Sequence, residues 1–419
     1  MRKTLIAAVA LAPLCIAAGT AQASTTISTS RTTPVTTATA NNGAPDDVVI
    51  ASGVTVSAAA GTTTPVSLLT VNSNNSANNT GTLSSSNISN VTGIQVNGGT
   101  AGTVANGAAI TLNSTFAPPT TADGYQQGPF AGTASPSNPT GTGVYGLYGI
   151  RLSGPGAFTG SITNSGTITL SGNSSRGISV ESPIIGTLAH SGSMTVLGDN
   201  NIGLASTSAG SVSGNVVING TVSTIGTNSS AVVLNGSIGG QFRLYSSLSS
   251  TGYTVTSRTN DTALLAKLQT AANNQINLAA STLVIGNSVV GGLYFGGAPV
   301  GTAAGSTADL TGDGFADAGE GVASVSQAGS APALVVGAAG GNVVIGGFVG
   351  QNGATQDNGF GLVMRGSVTA SGVYDNVDAN GIWIGTPGGG TTSLSSGIRL
   401  YGTVSASTYN GNATALHLF

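Results

Sequence analysis

One recurring unit restricts this chain more than any other feature: a glycine opens a short alternating strand, a polar turn follows, and a second apolar strand closes the unit. Gly166 opens TITLSGNSSRGISV, Gly192 opens SMTVLGDNNIGLAS and Gly220 opens TVSTIGTNSSAVVL, while Gly366 opens SVTASGVYDNVDANGIWI and Gly402 opens TVSASTYNGNATALHL. The unit returns after 26 residues (166 to 192), 28 (192 to 220) and, in the last pair, 36 (366 to 402). In the first strand Ile168 and Leu170 alternate with Thr167 and Thr169, the two-residue period of a half-buried strand. A single unit cannot bury its inward row, but units stacked about 4.8 Å apart can. The expectation is an all-β fold, a parallel β-helix or β-solenoid. Its inward rows should be one ladder of Ile168, Met194, Val222, Val368 and Val404, and another of Leu170, Val196 and Ile225 or its neighbours. Gly, Asn and Asp at the corners supply the positive φ that sharp turns need. Variable spacing around a constant core places insertions on the turns. With coils of roughly 25 to 30 residues the chain makes about a dozen, a rod of roughly 60 Å.

Composition supports ordered β-structure over the alternatives. The chain holds 66 glycines with only 5% charged and 5% aromatic residues, which argues against an ordinary α/β enzyme. Disorder goes with high charge and few aliphatics, whereas here charge is nearly absent and the mean hydropathy is +0.26.

Residues 1–23 read as a secretory signal peptide: Arg2 and Lys3, an apolar stretch from Leu5 to Ala18, then Ala21-Gln22-Ala23 before a cut at Ser24. The apolar run is shorter than the roughly 18 to 20 residues a membrane-spanning helix needs. Cleavage removes Cys15, so the exported chain has no thiol for a disulfide or a metal. With Arg2 and Lys3 gone, eight basic residues face thirteen acidic ones and the net charge moves from −3 to −5, which disfavours nucleic acid as a partner. Residues 24–45, rich in Thr and Ser with Pro34 and Pro45, read as a flexible lead-in, and residues 46–419 as the solenoid. Three excursions leave it. They are a Pro/Gly-rich loop over 116–142, a short helical insertion within 256–281 suggested by Leu264, Leu265, Leu268, Ala272 and Ile276 after an Asp261 cap, and an acidic loop over 306–321.

With this leader, glycine-punctuated strands and turns such as Asn164-Ser-Gly-Thr-Ile168, the chain resembles the passenger regions of bacterial autotransporters and related surface adhesins. The resemblance covers roughly residues 46–419 and is best over 143–255 and 361–419. It implies a right-handed parallel β-helix, exported through the inner membrane, that reaches the bacterial cell surface, outer membrane or medium. It implies a non-enzymatic stalk or adhesin whose partner is a glycan or protein surface on a host, a neighbouring cell or a matrix. In that family a C-terminal barrel carries the passenger across the outer membrane. The carboxyl end here lacks alternating amphipathic strands with aromatic girdles, so the translocator barrel is expected downstream or on a separate gene.

The strongest candidate for site chemistry is the acidic loop. Asp309, Thr311, Asp313, Phe315 through its carbonyl, Asp317 and Glu320 fall at positions 1, 3, 5, 7, 9 and 12 of an EF-hand-type calcium loop, with Gly314 at position 6. The alternative is a solvated acidic loop. No cofactor is required by the fold, and structural Ca²⁺ is the one ion the sequence suggests. Catalytic patterns are weak. His190 and His417 read as surface or turn residues, no Gly-x-Ser-x-Gly elbow occurs, and Gly141 to Gly146 matches a dinucleotide spacing but reads as a turn. The competing function is a β-helical lyase or glycoside hydrolase acting on polysaccharide. It would draw its paired carboxylates from Asp199, Asp357, Asp375 and Asp378.

Overall fold

The computed structural model describes residues 24–63, 65–114, 143–253, 256–270, 279–298, 302–303, 305–311, 316–351 and 354–419; the leader and the 116–142 loop lie outside them. The chain is a parallel β-solenoid. Three long sheets run along it, and each coil after the first contributes one strand to each in the order A, B, C; the first reaches sheet B only through the Arg31–Val56 bridge. Phe158–Asn164 (sheet A), Thr167–Ser171 (B) and Arg176–Val180 (C) make one such coil. Sheet A runs from Thr25–Ile27 to Ile398–Leu400, B from Thr55–Ser57 to Thr403–Tyr409, and C from Val35–Thr36 to Ala413–Leu418. Eleven strands in sheet C make a stack of about 50 Å at the usual interstrand spacing. A short fourth wall between C and A carries its own aliphatic ladder, with Ile184, Val212, Ile238, Val289, Ile345 and Leu394 on successive coils.

The register matches the repeat. Ile168, Met194, Val222, Leu248, Val325, Val368 and Val404 occupy successive rungs of sheet B. All but the last are fully buried, each contributing about 1.5–3 kcal/mol by leaving water. The second row departs from expectation after Val196: its next rung is Thr224, not Ile225, followed by Ser250 and Gln327. These polar side chains are satisfied within the core. Thr224 Oγ1 bonds Ser250 Oγ at 3.1 Å, and Thr282 Oγ1 donates to Gln327 Oε1 at 2.6 Å.

The glycines that open the repeat have a steric reason. They stand in one column at the A-to-B corner, where the register aligns Gly81, Ala108, Gly166, Gly192, Gly220, Ser246, Ala323, Gly366 and Gly402. A Cβ on Gly192 would overlap the carbonyl of Gly166, and one on Gly402 the carbonyl of Gly366. At the B-to-C corner Ser174, Asn200 and Asn228 take φ of 52°, 59° and 53° on successive coils, the left-handed conformation short polar residues tolerate.

A buried polar ladder lies at the end of sheet A. Asn79 Nδ2 donates to Asn106 Oδ1 and Asn106 Nδ2 to Asn164 Oδ1, each at 2.6 Å, and Asn164 Nδ2 meets His190 Nδ1 at 2.9 Å. Beyond it the same column becomes Ile218, Leu244, Phe295 and Met364. His190 is thus a core residue, 1% exposed, not the surface or turn residue expected of it. The chain of amides assigns its tautomer: Nδ1 accepts from Asn164 and Nε2–H donates to the Thr221 carbonyl at 3.2 Å.

One other expectation changes. Residues 24–45 are the first coil and not a lead-in: Thr25–Ile27 pairs with Val48–Ile50, Val35 is buried, and the Thr37 hydroxyl accepts the Asn72 N–H at 3.1 Å. Among the described residues of the helical insertion, the helix runs Thr262–Leu268. Asp261 caps it through the N–H groups of Ala263 and Leu264. Leu264, Leu265 and Leu268 pack on Ala328, Val373, Tyr374 and Val377 outside the solenoid. Ala272 and Ile276 lie outside the described residues.

Two outcomes follow from these columns. Gly192→Val is expected to lower stability by about 2–3 kcal/mol in urea unfolding, while Ser193→Val on the exposed face stays within about 0.5 kcal/mol. Burial lowers the pKa of His190 below its ordinary 6.5, so the unfolded chain takes up the proton first. Its contribution is complete above pH 6.5 and is lost as pH falls below that value. The urea midpoint should therefore drop between pH 7.5 and 5.5, and His190→Asn, which extends the amide ladder, should flatten that drop.

Candidate functional site

The outward face of sheet C carries the feature best suited to a ligand. Parallel pairing places outward side chains in columns. One runs Ser67, Thr92, Tyr148, Arg176 and Ile202, and the next Gln95, Arg151, Ser179, Ala205 and Val233. These columns floor a long open groove in two adjoining parts of about 790 and 390 Å³, both lined by Tyr148, Arg151 and Arg176. Asn287 and the 338–341 turn form part of its rim. Farther along the second column becomes apolar through Val284 and Val335 to Trp383, which meets His417 and Phe419 edge-on with ring centres 6.0 and 5.1 Å away.

The two arginines are held differently. Arg151 makes a paired contact with Glu181 one coil on, Nε to Oε1 at 2.9 Å and Nη2 to Oε2 at 2.8 Å, and lies 4.4 Å over the Tyr148 ring. The hydrogen bonds to Glu181 hold its pKa above the ordinary value. Arg176 instead donates Nη1 to two neutral acceptors, the carbonyls of Ser175 at 2.9 Å and Asn200 at 2.7 Å. Burial pushes its pKa below the ordinary guanidinium value, yet a guanidinium stays charged in a protein. Among the described lining residues Glu181 is the one carboxylate, and Arg151 occupies it. The groove therefore presents a fixed, partly desolvated cation beside hydroxyl and amide groups.

Sequence reasoning did not find this site. Its signal was available: in a chain with so few cations, Arg151 and Arg176 lie close to one coil apart, as do Arg151 and Glu181. Recognising them required the register of the C strands, which have no leading glycine to align them.

In the described part of the acidic loop the carboxylates meet protein donors. Asp313 and Phe315 lie outside the described residues. Of the others, Asp317 is buried and accepts the N–H groups of Leu310 at 3.0 Å and Thr311 at 3.4 Å, while Asp309 Oδ1 accepts from the Thr311 hydroxyl at 3.3 Å. Glu320 turns to sheet A, where Oε1 accepts from Gly297 N–H at 2.6 Å and Tyr294 hydroxyl at 3.1 Å. Protein donors thus occupy the carboxylates at positions 9 and 12. Among the described residues no group of three or more acids, histidines or cysteines could hold a metal.

The four acids considered for glycosidic chemistry also have structural partners. Asp199 accepts from Tyr253 hydroxyl at 2.8 Å and Thr227 N–H at 2.9 Å, and burial next to this carboxylate pushes the Tyr253 phenol well above its usual pKa. Asp357 is buried against Arg365 at 2.8 Å, Asp375 pairs with Arg258 at 2.8 Å, and Asp378 accepts the Asn412 N–H at 2.8 Å.

No protein-family model, curated protein or solved structure matches the chain. The fold and this face define a three-sheet parallel β-solenoid with an open polar groove on its third sheet.

Asp317→Ala should destabilise the protein by about 1–3 kcal/mol in urea, because two N–H groups lose their acceptor. The loss should be equal with calcium or with chelator; a loss confined to calcium-containing buffer would favour the metal reading.

Proposed function

We propose that the chain is a non-enzymatic, exported bacterial stalk of the autotransporter-passenger type, whose long faces attach to glycan or protein on other surfaces. The observation that carries this reading is the uninterrupted stack of parallel coils with a ligand-sized groove open along one face. A stacked-coil rod supplies reach and repeated weak contacts, and several such contacts multiply through effective concentration. The secretory pattern of residues 1–23 and the lack of cysteine in the rest of the chain support export.

The polysaccharide-cleaving alternative needs two carboxylates facing one scissile bond. In the groove Glu181 stands alone among described lining residues and is clamped by Arg151, which favours holding a ligand over cleaving it.

Two measurements test this. Antibody raised against residues 143–253 should label intact cells of the parent bacterium, and the purified 24–419 chain should bind cell-surface or matrix preparations without releasing reducing ends or unsaturated sugars from a polysaccharide panel. Labelling that needs permeabilised cells would overturn export, and product release would overturn the adhesive role.

A further inference from the structure

We propose that the sheet C groove is a binding site for an anionic oligosaccharide, with Arg176 anchoring the carboxylate or sulfate of one sugar and Arg151, Ser179 and Gln95 meeting neighbouring polar groups. The proposal rests on the adhesive reading of the fold and names its ligand class.

Charge is the first observation. The described lining residues of both parts of the groove include Arg151, Arg176 and one acid, Glu181, so the groove keeps one net positive charge on a chain whose overall charge is −3. Arg151 is neutralised by its two bonds to Glu181. Arg176 bonds two carbonyls through Nη1, and among the described residues no protein acceptor meets its Nε or Nη2. A partly desolvated guanidinium with no carboxylate hydrogen-bonded to it is a favourable place for an anion, because a charge-assisted, bidentate bond replaces lost hydration.

Preorganisation is the second. Arg151 is fixed between Glu181 and the Tyr148 ring, and Arg176 is fixed by the backbone of two successive coils, Ser175 and Asn200. Fixed donors lose little conformational freedom on binding. Their columns sit on parallel strands, so polar groups recur along the groove axis from Ser67 and Gln95 to Arg176 and Ser179, before the columns turn apolar at Ile202, Ala205 and Val233.

A glycan suits this surface better than an extended peptide. A peptide binds a sheet chiefly by adding a strand to a free edge, and within the groove floor the C strands are already paired on both sides. What the floor offers instead is the polar side chains Gln95, Thr92, Ser67 and Ser179; Gln95 and Ser179 already donate to Ser153 and Glu181, so they would meet sugar hydroxyls as acceptors.

The test uses the 24–419 chain with three groups of probes. Oligogalacturonate carries carboxylates, heparin-derived oligosaccharide carries sulfates as well, and cello-oligosaccharide is neutral; polyglutamate serves as a non-sugar polyanion. Calorimetry at low salt should show binding to at least one anionic sugar, weakening as salt rises, and none to the neutral one. Arg176→Gln should weaken that binding about tenfold or more, while Arg31→Gln, outside the groove, leaves it unchanged. Val233→Trp, at a partly exposed position of the groove floor away from the arginines, fills the groove and should also abolish binding, which keeps the proposal testable if Arg176→Gln unfolds. Failure of every anionic sugar to bind, polyglutamate binding as tightly as the sugars, or undiminished binding by a folded Arg176→Gln or Val233→Trp variant would overturn the site. If those variants still adhere to cell preparations as the parent chain does, the groove assignment falls while the adhesive reading stands.

Discussion

Everything in this molecule depends on each coil lying in parallel register on the one before it. Hydrogen bonding fixes that register, so each side chain has a counterpart one coil away about 4.8 Å along the axis. The chemistry of the protein is consequently organised in columns. At the A-to-B corner the column begins with Val54 and from Gly81 onward holds only Gly, Ala or Ser, because the backbones approach closely there. The inward column of sheet B is filled by Ile, Met, Leu and Val, and it abuts small residues in sheet C: a Cβ at Gly177 or Gly203 would meet Met194 or Val222. Large and small residues thus interlock across the B-to-C corner, and the glycine content of the chain is a packing requirement.

Parallel columns also explain how polar residues enter the core. One buried amide would be costly, but the same amide repeated on neighbouring coils finds its partner above and below. Asn106 and Asn164 use this arrangement, and each also donates to a carbonyl two residues on, Ala108 at 2.9 Å and Gly166 at 3.1 Å; Asn79, which opens the ladder above Ile50, donates to Asn106 while its own Oδ1 has no hydrogen-bond partner among the described residues. The ladder ends at His190, where the imidazole passes the hydrogen bond to the Thr221 backbone and the column turns apolar. An ionisable group is thereby placed at the junction between a polar and an apolar stretch of core.

Additions to the rod sit outside it. The helix packs on Tyr374 and its neighbours, and Phe348 stacks on Tyr294 with ring centres 5.0 Å apart, joining Tyr245 and Val363 in a small second core over sheet A. Asp357 lies under the same region, bonded to Arg365 and to Tyr401 hydroxyl at 3.0 Å. Sheet A is thus partly covered, whereas sheet C keeps its Tyr148–Arg151–Arg176 face open as a groove. Which face can meet a ligand is settled by where the insertions fold back.

The sequence by itself determined the solenoid, because a two-residue alternation after a corner glycine has few ways to bury its inward side except by stacking on another copy of itself. It determined the ladder from Ile168 to Val404, the Asp261-capped helix and the left-handed corners, all set by short-range steric and hydrogen-bonding rules. Tertiary structure decided what depended on neighbouring coils. It carried the first coil back into the Thr-rich 24–45 segment, where Val35 and Thr37 are buried. It put Thr224 instead of Ile225 in the core, since register there follows the backbone ladder and not hydrophobicity. It buried His190, which looks solvent-facing until the three asparagines on preceding coils are aligned with it. It gave Asp317 and Glu320 protein donors, and it assembled the groove, because Arg151, Arg176 and Glu181 become neighbours only when separate coils are stacked.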